Sequence, residues 1–348
     1  MKLTEAAQRC RSHQELRLET IPSLVDALLD ATVEDNAKAD FLAALAQKNE
    51  TANELAAFVQ AILPLGAQVP GVLGEWNKHP ILDCCGTGGG GLNIVNISTG
   101  IMFILAAAGV PVVKHGAHGF TKKSGSADVL KAMNIRIDLS PLQVRQCLEE
   151  LNLAFIYAPA FYPVFKAVAP VRKALAASGQ RTIFNLLGPL LNPVRPQAQL
   201  MGVFQEPHLA LFSAALEQTG CRRYLVAYGK NASGKAIGEV SADGPTRLIG
   251  KLDGKPCEFS IERGEEKFHF EELLVQSPEE SAAKLIAVLE GKEQGITRAM
   301  LVVNAAAALF AQGKTSSFQE GCAMAASQLD SGATLKKLRQ WQNFKARA

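Results

Sequence analysis

Residues 81–91, Ile-Leu-Asp-Cys-Cys-Gly-Thr-Gly-Gly-Gly-Gly, decide how the rest of the chain is read. Ile81 to Cys85 is a short apolar run, fit for a buried strand. Glycines 86, 88, 89, 90 and 91 then break the chain. Glycine permits positive φ and lets backbone N–H groups approach a ligand closely. The polar turn Asn96-Ile-Ser-Thr99 follows, and Ile101 to Ala108 has the composition of a buried helix. Strand, glycine loop, polar turn and helix start together aim unpaired N–H groups and the positive end of a helix dipole at a phosphate. An ordinary glycine turn is the alternative. No GK[ST] follows, so the loop is not a Walker motif. Gly86 to Gly91 fits GxGxxG formally. The dinucleotide fingerprint also needs an acidic residue about 20 positions on, and none lies between Asp83 and Asp128.

The bulk numbers suit a soluble globular protein with a sizeable core. The chain has 348 residues, 48% hydrophobic and 20% charged, enough for one large domain and a smaller one. A net charge of +3 is too weak by itself to imply nucleic acid or membrane. Seven cysteines without CxxC spacing argue against zinc and against a disulfide framework, and suit a reducing cytoplasm. The first residues lack an apolar core, so no signal peptide is expected. The longest apolar stretch, Ile101 to Val113, is too short for a bilayer and contains Gly109 and Pro111. The expected location is cytoplasmic.

Residues 1–75 read as a small helical domain. Ile21, Leu24, Val25, Leu28 and Leu29 recur at helical spacing, as do Phe41, Leu42 and Leu45, then Leu55, Phe58, Val59 and Ile62. Thr51-Ala-Asn-Glu54 fits a capping box. Residues 65–80 hold Gly66, Pro70, Gly71, Gly74 and Pro80, a linker signature. Residues 76–348 alternate strand and helix patterns, which predicts a large α/β domain with a mostly parallel central sheet flanked by helices. Strands are expected at 81–85, 110–114, 153–157, 199–204, 223–228 and 299–303. Helices are expected at 98–108, 126–133, 141–151, 163–177, 207–218 and 279–290, the one near 163–177 joining the small domain. Residues 235–275 suggest an antiparallel hairpin, and 315–348 terminal helices.

Four segments are polar where they leave apparent strands, the end at which such sheets bind ligands. The first is the glycine loop with Asn96, Ser98 and Thr99. The second, Lys114-His-Gly-Ala-His-Gly-Phe-Thr-Lys-Lys-Ser-Gly-Ser-Ala-Asp128, packs three lysines, two histidines, three hydroxyls and three glycines into 15 residues. Lysine charge with small hydroxyl donors is what a phosphate or diphosphate needs. The third, Arg181-Thr-Ile-Phe-Asn-Leu-Leu-Gly-Pro-Leu-Leu-Asn-Pro193, reads as a shaped loop against the site. The fourth, Gly238-Glu-Val-Ser-Ala-Asp-Gly-Pro-Thr246, offers Glu239 and Asp243 as oxygen ligands for Mg²⁺, a usual companion of diphosphate.

Together these segments resemble the anthranilate phosphoribosyltransferase family, whose pattern runs GTGGD, N-[IV]-S-T, KHGNR…S-x-K-SGSAD, R-T-x-F-N-x-L-GPL-x-NP and DEVS. Here they read GTGGG, NIST, KHGAHGFTKKSGSAD, RTIFNLLGPLLNP and GEVS. The resemblance implies the fold of the class II nucleoside phosphorylases and of this transferase: a small helical and a large α/β domain with a hinge, as a homodimer. It implies that Gly86, Thr87, Gly88, Gly89, Gly90, Asn96, Ser98 and Thr99 hold 5-phosphoribosyl 1-diphosphate, with Ser98 also touching Mg²⁺. Lys114, His115, Gly116 and the segment to Lys122 wrap the diphosphate, with Ser126 adding a contact and Gly188 and Pro189 shaping the site. Arg172 matches the arginine that faces the aromatic acid's carboxylate, and Glu239 one of two adjacent metal ligands. The departures fall largely in the acceptor half. Ala117 replaces an asparagine and Tyr162 a histidine, both near anthranilate in the family; His118 replaces an arginine. Gly90 and Gly238 replace acids, the second a metal ligand.

The expected function is Mg²⁺-dependent transfer of the 5-phosphoribosyl group to an aromatic amine, anthranilate by default, as in tryptophan biosynthesis. Two alternatives are a related transferase with another acceptor, and a non-catalytic paralogue that binds nucleic acid through Lys114, Lys122, Lys123 and Arg145.

Overall fold

Four helices precede any strand of the main sheet: α1 (Leu3–Arg11), α2 (Ile21–Leu29), α3 (Asp35–Lys48) and α4 (Ala52–Ile62). The computed structural model describes residues 1–87, 92–119, 124–262 and 264–347. The spaced apolar residues of α2, α3 and α4 face one core, where Leu24, Phe41, Leu45 and Phe58 are fully buried. The capping box at Thr51 is present. The Glu54 N–H donates to Thr51 Oγ1 at 3.3 Å, and the Thr51 N–H to Glu54 Oε2 at 2.9 Å. The same buried carboxylate pairs with Lys48 at 2.7 Å and accepts from the Leu16 N–H at 2.7 Å. One side chain thus caps α4 and ties three pieces of the bundle together.

After a two-residue ribbon, β1 (Glu75–Trp76) with β2 (His79–Pro80), the main sheet begins. Its strands are β3 (Leu82–Gly86), β4 (Val112–Gly116), β5 (Leu153–Tyr157), β6 (Ala198–Gly202), β7 (Arg223–Gly229), β8 (Thr246–Leu252) and β9 (Lys255–Ile261), in the order β5-β4-β3-β6-β7-β8-β9. The first five run parallel and the last two antiparallel, so the expected hairpin is β8–β9. β3 lies between β4 on one side and β6 on the other, so the strand order reverses there. Ligands of open α/β sheets bind beyond the carboxyl ends at such a reversal. The glycine loop leaves β3 at that point.

Helices at α5 (Ile97–Ala107), α6 (Ser126–Ala132) and α7 (Pro141–Leu151) follow the expected spans within a residue. The expected helix at 163–177 is divided: a 3₁₀ segment at Pro163–Ala167, then, past a short α8 (Ala158–Phe161) upstream, α9 (Ala169–Ala177). α10 (Ile183–Leu187), α11 (Pro207–Gln218) and α12 (Pro278–Leu289) precede α13 (Ile296–Gln312). The expected strand at 299–303 is wrong, because these residues lie inside α13. An apolar run does not separate a strand from a helix buried on most sides, and α13 is buried along most of its length against α5, β6 and β7. α14 (Phe318–Asp330) and α15 (Ala333–Gln342) end the fold.

The bundle rests on the rest of the chain through α3 against α9, and α4 against α10 and α11. Fully buried Lys38 donates to the Asp30 carbonyl at 2.7 Å and to the Ala167 carbonyl at 3.3 Å across this seam.

Candidate active site

A cavity of about 330 Å³ opens where β3, β4 and β6 end. Its floor is built by a buried polar network. The His115 ring lies 2.6 Å from Asp83 Oδ2 through Nδ1 and 2.6 Å from the Gly188 carbonyl through Nε2. Asn192 Nδ2 donates to the same Asp83 oxygen at 3.0 Å and to the Val113 carbonyl at 2.7 Å. Total burial pushes the Asp83 pKa up, but the charge and hydrogen bond of His115, then Lys114 and Asn192, outweigh it and hold the carboxyl below its ordinary range. β3, β4 and the Gly188–Pro189 corner are therefore locked together by side chains from three distant segments. Gln199 Nε2 adds a 2.8 Å bond to the Pro189 carbonyl.

Lys114, nearly fully buried, donates from Nζ to the Cys84 carbonyl at 2.5 Å and lines the cavity. An ammonium carries three donors, so this bond orients the group and leaves capacity for a ligand. Asn96 Oδ1 accepts from Ser124 and Ser281 hydroxyls, each at 3.0 Å. It thereby ties the start of α5 to the segment before α6 and to α12. Asp128 accepts from the Gly119 N–H at 2.8 Å and the Gly125 N–H at 2.9 Å, and pairs with His118. Burial raises its pKa, but these bonds prevail and lower it. A carboxylate so placed ties His118 and Gly119 to Gly125 beside the cavity.

The structure brings together most of the expected residues. Gly86, Thr87, Asn96, Ser98, Lys114, His115, Gly116, Ala117, His118, Ser126, Gly188, Pro189 and Glu239 all line the cavity. Gly88, Gly89, Gly90 and Lys122 lie outside the described residues. Thr99 is fully buried behind the wall, its hydroxyl without a hydrogen-bond partner. Three further expected residues lie away from the cavity walls. Asp243 does not line the cavity; it is buried, and Oδ2 accepts the Ala232 N–H at 3.0 Å, so its carboxylate serves the 231–246 turn. Tyr162 is 1% exposed, packed on Gly66 and stacked on Phe165, with its hydroxyl unpartnered. Burial pushes its pKa far up. Arg172 lies over the Phe184 ring, 4.9 Å from its centre, and lines no part of the cavity.

Glu239 and Ser98 share the walls of both the cavity and a small void beneath it. Asn304 holds the next residue, Val240, by both its N–H, at 2.9 Å, and its carbonyl, at 2.7 Å. One carboxylate and one hydroxyl of hard oxygen type fit a single Mg²⁺ whose other ligands come from an anionic substrate and water. Among the described residues no cluster of three or more His, Cys, Asp or Glu stands ready for a metal. Gly238 has φ +73°, and a Cβ there would lie 2.4 Å from the Phe204 ring. A carboxylate at 238 would therefore need a strained backbone and a shifted Phe204 ring.

Sequence reading missed Asp83, Asn192, Asn185, Ser124 and Phe204. A carboxylate inside an apolar strand was the available signal for Asp83. Ser281 lies 185 residues from Asn96 and carries none.

A helical bundle set beside an α/β sheet, with a cavity at the strand reversal, is the architecture of a glycosyl transferase family. The family's a/b domain matches residues 78–335, and its helical bundle domain residues 4–66. Anthranilate phosphoribosyltransferase of Methanosarcina acetivorans is 35% identical over 347 residues, 99% of this chain and 90% of that protein. The enzyme of that name from an Acidovorax species is 38% identical, covering 97% of this chain and 95% of its own. The crystal structure of anthranilate phosphoribosyltransferase from Thermus thermophilus superposes with a TM-score of 0.85 at 33% identity, covering 97% of this chain and 98% of that one. The chain belongs to the anthranilate phosphoribosyltransferase family. The Saccharomyces cerevisiae enzyme, solved with PRPP and Mg, shares the fold with a TM-score of 0.82 at 23% identity.

Proposed function

We propose that this protein transfers the 5-phosphoribosyl group from 5-phosphoribosyl 1-diphosphate to anthranilate. The reading is carried by one observation: Lys114, Asn96, Ser98 and Glu239 converge on one cavity at the strand reversal, in a chain aligned end to end with enzymes of that name. The amine lone pair attacks C1, the C1–O bond breaks, and diphosphate departs with the electron pair, giving inversion. The transition state is oxocarbenium-like. An arylamine is already a neutral nucleophile, so the chain supplies position and charge rather than a strong base. Lys114 binds the diphosphate, and His115 and Asn192 hold its strand and the Pro189 corner in place. Ser98 and Glu239 are the residues that would hold Mg²⁺, which when bound neutralises the leaving diphosphate.

The helical region 1–75, with the helix at 169–177, is proposed to close over the cavity and exclude water. We further infer a homodimer in the cytoplasm. Sedimentation at micromolar concentration decides the dimer. No helix among the described residues is long and apolar enough to cross a membrane. The nucleic-acid alternative is disfavoured, since Lys114 is buried and Arg145 is paired with Glu149.

The test is diphosphate release from the donor with Mg²⁺ and anthranilate. Lys114→Ala is expected to weaken donor binding by roughly 1.5–3 kcal/mol, the value of a hydrogen bond to a charged group. Unchanged donor affinity by calorimetry removes Lys114 from the site.

A further inference from the structure

Residues 93–96, between the glycine loop and α5, are docked on a segment that comes much later in the chain. The Val95 N–H donates to the Leu273 carbonyl at 2.9 Å, and the Val275 N–H to the Asn93 carbonyl at 2.8 Å. Lys284 of α12 donates to the carbonyls of Glu272 and Leu274, at 2.5 Å and 3.1 Å. α12 therefore holds the segment on which residues 93–95 rest. One turn earlier on the same helix, fully buried Ser281 makes two bonds to Asn96. Its oxygen accepts the Asn96 N–H at 3.0 Å, and its hydroxyl donates to Asn96 Oδ1 at 3.0 Å. Ser281 itself does not line the donor cavity, whereas Asn96 does.

We infer that Ser281 is a positioning residue for donor binding. It fixes the Asn96 carboxamide with the oxygen turned toward the protein and the NH2 left for an anionic oxygen of the donor. The identity of that donor rests on the transferase reading above. A carboxamide oxygen has two lone pairs. At Asn96 the hydroxyls of Ser281 and Ser124 occupy both. The NH2 carries two donors, and among the described residues its contact is a long one, 3.5 Å to the Ser124 carbonyl. The hydroxyl hydrogen of Ser281 needs an acceptor, and Oδ1 supplies it. A flipped carboxamide would lose that acceptor and turn its oxygen toward the donor's anionic oxygens. Two lone-pair groups would then face each other, which is repulsive. Ser281 thus sets the sign of the contact Asn96 offers, from a helix that meets no substrate.

The test is calorimetry of 5-phosphoribosyl 1-diphosphate binding to the full chain, with Mg²⁺ and without acceptor. Ser281→Ala is expected to weaken binding about tenfold, because a freed carboxamide no longer keeps its donor on a charged oxygen. In an Asn96→Ala background the same substitution is expected to change donor affinity no further, since no carboxamide remains to be positioned. In turnover, Ser281→Ala is expected to raise the KM for the donor and leave that for anthranilate unchanged. Should Ser281→Ala fail to fold, Ser281→Cys, close in volume and weaker as a donor, is read by the same criteria. The inference is overturned if the substitution leaves donor affinity unchanged, or if it weakens binding equally with and without the Asn96 side chain, the mark of a general loss of packing. A wild type that binds the donor but transfers nothing to anthranilate overturns the transferase reading alone. A wild type that binds no donor overturns both.

Discussion

Glu50 shows how one side chain carries a cost that pH reveals. Its pKa rises from 4.5 to about 7, chiefly because burial disfavours the charged form. Between those values the folded state binds more protons than the unfolded state, so stability falls as pH rises from about 4.5 to 7. The integrated loss is at most on the order of 3 kcal/mol. Glu50→Gln is therefore expected to raise the melting temperature at pH 8 and to leave it nearly unchanged at pH 4.5. Equal shifts at both pH values sink this account. Asn192 lies at the opposite extreme, a neutral side chain whose loss strands polar backbone neighbours. Asn192→Leu leaves Asp83 with His115 but removes the donor to the Val113 carbonyl and the acceptor of the Val194 N–H. Each stranded group costs roughly 1–3 kcal/mol, so urea unfolding is expected to show a loss of at least 2 kcal/mol. At this scale the sequence announced many of the residues that line the cavity, through dense glycine, lysine and hydroxyl spacing. It was silent on those that hold them. Asp83, Asn192 and Ser281 act through contacts whose partners lie far away in the chain, and no local pattern encodes such a distance.

Elements were legible where period and length agreed. The five parallel strands and four of the helices between them, α5, α6, α7 and α11, combine short apolar runs with clear turns, and their bounds lie within about two residues of those expected, whereas the helix expected at 163–177 is divided. The strand at 299–303 failed because Met300, Leu301, Val302 and Val303 read as a short apolar run ending in two β-branched residues, while burial of α13 removed the polar face that marks a surface helix. Close packing between elements was not legible either. A Cβ at Gly202 would lie 1.8 Å from the Gly238 carbonyl, so the end of β6 touches the backbone of the segment carrying Glu239. Gly202→Ala is expected to push that segment off and break the Asn304 bonds to Val240. Overpacking of this kind costs about 1–3 kcal/mol, and the displaced Glu239 should raise the Mg²⁺ concentration needed for half-maximal diphosphate binding. A variant with wild-type Mg²⁺ dependence shows that Glu239 is not held by this contact.

At the scale of the molecule, the bundle is joined to the sheet domain by two passages of chain, and Tyr162 sits where they meet. The Ala67 N–H donates to the Phe161 carbonyl at 2.9 Å, binding the exit from the bundle to the short helix α8. One residue away on each side, Gly66 faces the Tyr162 ring so closely that any side chain at 66 collides with it. A buried hydroxyl without a partner, as at Tyr162, lowers stability in the packed state. It is tolerated if the ring's fit against Gly66 fixes the angle between the two parts. This predicts a specific coupling. Gly66→Ala is expected to cost roughly 1–3 kcal/mol by overpacking, and Tyr162→Leu to cost a similar amount by leaving a cavity. The double variant is expected to cost less than the sum by more than about 0.5 kcal/mol, because the smaller side chain receives the new methyl group. Tyr162→Phe, which removes only the unpartnered oxygen, is expected to be neutral or stabilising. Additive costs in the double variant, together with a destabilised Tyr162→Phe, place the hydroxyl rather than the ring at the centre of the hinge and reject the packing account.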